Sequence, residues 1–271
     1  MKKLILGLFV LNVSWTSLLA QKFETEYLDS LLKDPFTTLE TQQISAVNFT
    51  KATGYDFKPE HLNLVGALAR REYDLLRERH PLTDADVTKF KKPNGGHVEW
   101  ANLVTAHRFE GIAKSVHERL RNIYKDKILE HPVRVINNVG GMWAVMEIYN
   151  CSTTEYVALF GSMFPQKGYS GLYPFMEVYD IMVDGKMVSH GIETDTTLPV
   201  TYEAGEISLL ENSERRIYAL ETGAMMIDYG RGFIPAAMDQ GIFTPYKNNK
   251  DFASMRDQVL ACAKSFLNRI H

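Results

Sequence analysis

The stretch from Val133 to Arg231 constrains the fold more than any other part of this 271-residue chain. It consists of short runs rich in Val, Ile, Tyr, Phe and Met, with glycine-containing pairs between them: Gly140-Gly141, Lys167-Gly168, Ser170-Gly171, Asp184-Gly185 and Ala204-Gly205. Glycine adopts the backbone angles that tight turns need, and short strands at such spacing are typical of an all-β sandwich or barrel. We therefore predict about eight to ten strands and one β domain over residues 131–235.

Helical patterns flank the β stretch on both sides. In residues 21–130, apolar residues recur at helical spacing in one segment that begins near Pro59 and in another that ends at Tyr124. Residues 236–271 are again helical, and Asn249 is a suitable N-cap for a final helix with one apolar face. The sequence thus predicts an α+β protein in which helical regions precede and follow the β domain.

The first 20 residues have the pattern of a secretory signal peptide. Lys2 and Lys3 precede an apolar stretch from Leu4 to Val13, and Ala20 supplies a small residue before a cleavage point. The apolar stretch is shorter than the roughly 20 residues that a transmembrane helix needs. We predict a secreted or periplasmic protein after cleavage of residues 1–20, with a membrane anchor formed by the uncleaved segment as the alternative.

The charge and the histidine content exclude several classes of partner. The formal net charge is −3 and no basic patch stands out, so we predict no nucleic-acid partner. The β stretch contains only His190, with His131 at its start, whereas metal sites in barrels of this kind use several histidines with a carboxylate. We predict no metal, and no cofactor either, because the chain has no phosphate-binding loop.

The chain has two cysteines, Cys151 and Cys262. A secreted chain of this size does not depend on a disulfide framework, and one pair does not make such a framework. We expect two free, buried thiols. A disulfide between them is an alternative that the spacing cannot decide.

Two predicted strands each place one carboxylate on an otherwise apolar face. Side chains alternate along a strand, so Asp180 and Asp228 share their faces with apolar residues only: Met176, Val178 and Met182 for the first, Ala224 and Met226 for the second. A lone buried carboxylate is costly, and two close together would share one proton. Such a pair can transfer protons or hold an organic cation. The alternative is that each aspartate accepts backbone N–H groups at a strand end.

Six segments, in order, resemble motifs of the family that holds the sigma-1 receptor and the fungal C-8 sterol isomerase. The family motifs are N-A-G-G, S-E-Y-x-x-L-F-G, G-H-[ST]-G, E-x-x-D, Y-x-P-G-E and E-Y-G-R-G-x-I-P. The matching segments here are Asn137–Gly141, Ser152–Gly161, Gly168–Gly171, Glu177–Asp180, Tyr202–Glu206 and Asp228–Pro235. The resemblance covers roughly residues 109–271 and leaves residues 21–100 without a counterpart.

The resemblance implies a cupin-like β-barrel of the jelly-roll type, flanked by N-terminal helices and closed by C-terminal helices that contact a membrane peripherally. It also implies a homotrimer. Asp180 and Asp228 would be the catalytic carboxylates, and Asp228 stands where the family has a glutamate that pairs with the ligand's amine. Tyr156 would be the tyrosine that hydrogen-bonds Asp228, and Glu155 would hold a backbone turn. The other ligand-binding residues would be Phe160, Tyr173, Glu177 and Met182.

The family implies two functions. The first is a sterol isomerase acting on a C=C bond, Δ8 to Δ7, in which one carboxylic acid protonates the alkene, the pair stabilises the cation, and a carboxylate removes a proton from the other side. The alternative is a non-catalytic binding protein for lipophilic amines or lipids. Asn150 stands where the isomerases have a histidine, and Leu210 where the receptor has one. A third interpretation is a structural or assembly role for the N-terminal helical part, with the barrel as a vestigial scaffold. A position of Asp180 or Asp228 on an outer face would favour this structural interpretation.

Overall fold

The computed structural model describes residues 55–83, 100–192 and 198–267. The predicted signal peptide, residues 1–20, lies outside these ranges. Two helices come first, α1 (Pro59–Arg79) and α2 (Trp100–Tyr124), and a 3-10 turn (Lys125–Lys127) follows them. After the strands come a 3-10 turn (Ile234–Ala237), a π-helical turn (Asp239–Phe243), α3 (Thr244–Asn249) and α4 (Phe252–Leu267).

Ten strands lie between the helices in the described part of the chain. They are β1 (Val133–Val139), β2 (Met142–Cys151), β3 (Glu155–Gly161), β4 (Gln166–Tyr169), β5 (Met176–Asp184), β6 (Lys186–Gly191), β7 (Val200–Glu203), β8 (Ile207–Leu210), β9 (Arg216–Leu220) and β10 (Met225–Gly232). All the strand pairs are antiparallel. The first sheet has the order β1-β2-β3-β10-β5-β8 and the second has the order β4-β9-β6-β7.

This strand order defines a jelly roll. Strands β3 to β10 divide into two four-stranded halves, β3-β10-β5-β8 and β4-β9-β6-β7, and the chain crosses repeatedly between the two sheets. Two Greek keys closed on each other produce this order, and cupins are built on it. Strands β1 and β2 extend one sheet beyond the eight. The prediction of an α+β fold around a jelly-roll barrel is confirmed.

The turn between β1 and β2 shows why glycine is needed where the sequence placed it. Gly140 has a φ of +60°, and a Cβ added there would lie 1.6 Å from the carbonyl oxygen of Tyr169. The backbone N–H of Tyr169 donates to the Gly140 carbonyl at 3.0 Å. Any side chain at this position would therefore separate the β1–β2 turn from β4.

Helix α1 covers the outer face of the larger sheet. A Cβ added at Gly66 would lie 2.7 Å from Val183 on β5, so the helix and the strand approach closely. The segment just before α1 is fixed by Glu155, a buried side chain whose Oε1 accepts the backbone N–H groups of Asp56 and Phe57 at 3.0 Å. The hydroxyl of Tyr229 donates to the same oxygen at 3.0 Å. Glu155 thus holds a backbone turn, as the resemblance implied.

The C-terminal helix is joined covalently to the barrel. Cys151 at the end of β2 and Cys262 in α4 form a disulfide. The expectation of two free thiols was therefore wrong, because residues 111 positions apart in sequence meet where α4 packs on β2. The start of α4 also differs from the prediction: Asn249 ends α3, and the Asp251 carboxylate accepts the backbone N–H of Ser254 instead.

Candidate functional site

Asp180 and Asp228 lie side by side inside the barrel. They occupy directly opposed positions in the antiparallel pair β5–β10. Opposed side chains point to the same face of a sheet, with Cβ atoms about 4.5–5.5 Å apart. The two carboxyl groups share a hydrogen bond. The structural interpretation, with both aspartates on an outer face, is therefore excluded.

The surroundings of the pair give the two carboxyl groups different pKa values. Burial raises the pKa of both carboxyl groups. The charge of Asp180 raises the pKa of Asp228 further, whereas the hydroxyl of Tyr218 donates to Asp180 and the cation of Arg216 lies nearby, and both lower the pKa of Asp180. The pKa of Asp228 is therefore raised more than that of Asp180, and Asp180 is the first of the two to ionise as the pH rises.

The pair faces a cavity of about 140 Å³. Its wall is largely apolar and contains several methionines, whose flexible side chains adapt to irregular shapes: Met142, Met146, Met176, Met187, Met226 and Met238. C-terminal residues contribute as well, among them Ile242 and Gln258. A mostly apolar lining with a few converging polar groups is the arrangement that small-molecule sites use.

Five of the seven predicted site residues line this cavity together: Asp180, Asp228, Tyr156, Phe160 and Tyr173. Met182 points into the barrel and is buried in the apolar cluster, but it does not line the cavity.

Glu177 does not reach the cavity, and its assignment as a ligand-binding residue was wrong. It lies on the opposite face of β5, where its carboxylate accepts hydrogen bonds from Arg231 at 2.7 Å and from the Tyr179 hydroxyl at 3.1 Å. Residues an odd number of positions apart on a strand face opposite ways, so Glu177 and Asp180 cannot share a face.

Tyr156 lines the cavity without making the expected hydrogen bond. Its buried hydroxyl has no hydrogen-bond partner among the described residues. Burial raises its pKa well above the ordinary value, and the charge of Asp228 raises it further. Tyr218, on β9 of the opposite sheet, is the tyrosine that hydrogen-bonds the pair, through Asp180. Alternation along β9 places Tyr218 and Leu220 on one face, and that signal in the sequence could have identified it.

A further polar residue at the site, Asn137, was missed. It lies on β1, it lines the cavity, and it is 1% exposed. Its Nδ2 donates to the carbonyl oxygen of Gly241 at 3.1 Å. Its Oδ1 has no hydrogen-bond partner in the described ranges.

The described residues contain neither a cluster of metal-ligating side chains nor a helix able to cross a membrane. No group of three or more His, Cys, Asp or Glu side chains in them is arranged to hold a metal ion. None of their helices combines the length and the apolar character that crossing a membrane requires.

Solved structures with similar folds include KdgF from Halomonas sp., with a TM-score of 0.29 and 10% identity over 33% of this chain and 78% of that chain. A cupin superfamily protein from Desulfitobacterium hafniense has a TM-score of 0.29 and 10% identity over 32% of this chain and 76% of that chain. The strand order given above, rather than these alignments, establishes the fold.

Relatives by sequence include sigma non-opioid intracellular receptor 1 of Gallus gallus, 29% identical over 133 residues, which are 49% of this chain and 59% of the relative. The protein erg2 homolog of Dictyostelium discoideum is 28% identical over 142 residues, which are 50% of this chain and 60% of the relative. C-8 sterol isomerase ERG2 of Gibberella zeae is 26% identical over 136 residues, which are 50% of this chain and 57% of the relative. The chain thus spans less than two thirds of the length of each. The family model described as "ERG2 and Sigma1 receptor like protein" matches residues 86–271, more than half of the chain, and the chain therefore belongs to that family.

Proposed function

We propose that this protein is a sterol isomerase-like enzyme that moves a ring double bond from Δ8 to Δ7 in a sterol or a similar polycyclic lipid. The observation that carries the proposal is the opposed pair Asp180 and Asp228, two neighbouring carboxyl groups that line one largely apolar cavity. Membership in a family with C-8 sterol isomerases supports it.

The pair supplies both the acid and the base. Asp228 gives its proton to one carbon of the alkene, and a carbocation forms on the neighbouring carbon. Asp180, already ionised, stabilises that cation in surroundings of low polarity. One of the two carboxylates then takes a proton from an adjacent carbon, and the double bond re-forms one position along the ring. One proton is given and one is taken, so the pair ends with a single shared proton.

Both carboxyl groups lie on one wall, since β5 and β10 are neighbours in the same sheet. Proton addition and proton removal are therefore expected on the same face of the ligand. This differs from the expectation that the proton leaves from the other side.

The test is incubation of the protein with a Δ8-sterol in D2O, with the product analysed by mass spectrometry and NMR. We expect a Δ7 product that carries one deuterium. The deuterium should be added on the same face of the ligand as the face that loses a hydrogen. Asp180→Asn and Asp228→Asn should each reduce the rate by at least about 10²-fold, the usual contribution of a general acid or base. Glu177→Gln makes the same carboxyl-to-amide change on the opposite face of β5 and should retain the rate. Conversion that survives both aspartate substitutions would overturn the proposal.

The second candidate function is non-catalytic binding of a lipophilic amine or lipid over the same pair. It is favoured by Asn150, which stands where the isomerases have a histidine and whose Nδ2 donates to the backbone carbonyl of Glu155 at 3.0 Å. In the described residues no histidine lines the cavity. Tight amine binding that Asp180→Asn abolishes, with no conversion of the sterol, would support this function in place of the isomerase.

The assembly and location of the protein are also proposals. We propose a homotrimer that is secreted or periplasmic after removal of residues 1–20, with peripheral membrane contact through the C-terminal helices. Phe252 and Phe266 on α4 are 57% and 45% exposed, which supports an apolar outer surface there. Light scattering of the purified protein would test the trimer, flotation with lipid vesicles the membrane contact, and mass spectrometry of the secreted product the cleavage.

A further inference from the structure

Asn137 has an amide whose orientation is fixed. Its Nδ2 donates to the carbonyl oxygen of Gly241 at 3.1 Å. Rotating the amide by half a turn would bring Oδ1 against that carbonyl oxygen, and two acceptors repel each other. The oxygen of the amide therefore remains the group without a partner among the described residues.

An unpaired acceptor in this position is costly unless something donates to it. Asn137 is 1% exposed, so bulk water does not reach most of its surface. Leaving a buried acceptor unsatisfied costs a large part of its desolvation free energy. Because Asn137 and Gly241 both line the cavity, a molecule in the cavity is placed to supply the donor.

Asn137 lies three strands away from Asp228 in the larger sheet. The register of the sheet relates the two positions. Asp228 lies opposite Ala158 on β3, and Ala158 lies opposite Ile148 on β2. Ile148 in turn lies opposite Val133 on β1. Asn137 is four positions further along β1, and β1 is three strands from β10. Strand spacings of about 4.8 Å and rises of about 3.3 Å per residue give a path of at most roughly 20 Å along the curved sheet. A ligand that contacts both points therefore extends across several strands of the sheet.

We propose that Asn137 is a specificity-determining ligand-binding residue, whose Oδ1 accepts a hydrogen bond from a hydroxyl group at the end of the ligand remote from Asp180 and Asp228. The ligand class is then an elongated polycyclic lipid with a hydroxyl at one end and a cationic or cation-forming centre toward the other. This inference rests on the proposed function, because it takes for granted that an apolar ligand occupies the cavity over the carboxyl pair.

The test uses two matched probes: a steroid with an amine on its side chain and a free hydroxyl on ring A, and the methyl ether of the same molecule. The ether keeps the ring system and cannot donate a hydrogen bond, and the comparison with Asn137→Leu controls for the bulk of its added methyl group. We expect the wild-type protein to bind the alcohol roughly tenfold more tightly than the ether. In Asn137→Leu, which removes the acceptor at similar volume, the preference should fall to about twofold or less.

Asn150 offers a matched control. It too is a buried asparagine whose Nδ2 donates to a backbone carbonyl and whose Oδ1 has no partner in the described residues, but it does not line the cavity. Asn150→Leu should lose comparable stability and keep the tenfold preference. Equal binding of both probes by the wild-type protein, or a preference that survives in Asn137→Leu, would overturn the proposal for Asn137 and leave the proposed function standing. Binding of neither probe would overturn both.

Discussion

Asp180 on β5 lies directly opposite Asp228 on β10, near the middle of the paired segment of the two strands. Burial of a carboxyl group in this cavity disfavours its ionised form and raises its pKa. Two opposed groups joined by a hydrogen bond keep one charge and one proton in the same place. The barrel therefore offers an acid and an anion within about one hydrogen bond of each other.

Replacement of Asp228 by asparagine should make the protein more stable at high pH. The pKa of Asp228 is raised on folding, so the native state binds more protons than the unfolded state above about pH 4, and stability falls as the pH rises. In Asp228→Asn this loss is removed. We expect its melting temperature to exceed that of the wild type at pH 8 and the difference to shrink toward pH 4. Equal melting temperatures across this range would contradict the prediction.

Cation binding should weaken in acid. Burial raises the pKa of Asp180 to about 6, so the pair loses its negative charge below that pH. A lipophilic quaternary ammonium compound keeps its own charge at every pH and is a suitable probe. We expect its dissociation constant to rise about tenfold for each pH unit below the pKa of Asp180, as measured by calorimetric titration between pH 4.5 and 8. In Asp180→Asn that transition should be absent.

The two tyrosines at the site should respond differently to loss of their hydroxyl groups. The Tyr218 hydroxyl donates to Asp180 and lowers its pKa, so Tyr218→Phe should raise that pKa and move the pH midpoint of cation binding upward. Tyr156 has an unpaired buried hydroxyl in the described structure, so Tyr156→Phe should leave stability unchanged or slightly raised. Chemical denaturation and the same pH titration would check both. A midpoint that moves with Tyr156→Phe and not with Tyr218→Phe would reverse the assignment.

Loss of the disulfide should destabilise the protein and loosen the cover of the cavity. The bond joins Cys151, which lines the cavity, to α4, which also contributes Gln258 to the lining. Removing a native disulfide typically costs about 2–5 kcal/mol. Cys151→Ala, Cys262→Ala and the double variant should lower the free energy of unfolding by similar amounts, because each abolishes the same bond. Ligand release, followed by stopped-flow fluorescence, should be faster in all three. Additive losses in the double variant would indicate that the two side chains act separately.

The short strands of the barrel could be predicted because the signals for strands and turns lie within each short segment of the sequence. Glycine turns between short apolar runs indicate hairpins wherever they stand, and Gly140 shows the steric reason. Alternation likewise placed Asp180 and Asp228 each on an apolar face, and six ordered motifs gave the family. The same alternation places Glu177 on the opposite face of β5 from Asp180. Glu177 was predicted as a ligand-binding residue only because it belongs to the E-x-x-D motif.

The sequence by itself thus determined the jelly-roll strands, the apolar setting of both aspartates and the family. Only the tertiary structure decided that Asp180 and Asp228 oppose each other, that Tyr218 and Asn137 reach the same cavity, and that Cys151 bonds to Cys262. The physical reason is that these relationships depend on strand register and on helix docking between segments far apart in the chain. Such contacts are set by the packing of the whole core, and the local sequence around each residue carries no record of its distant partner.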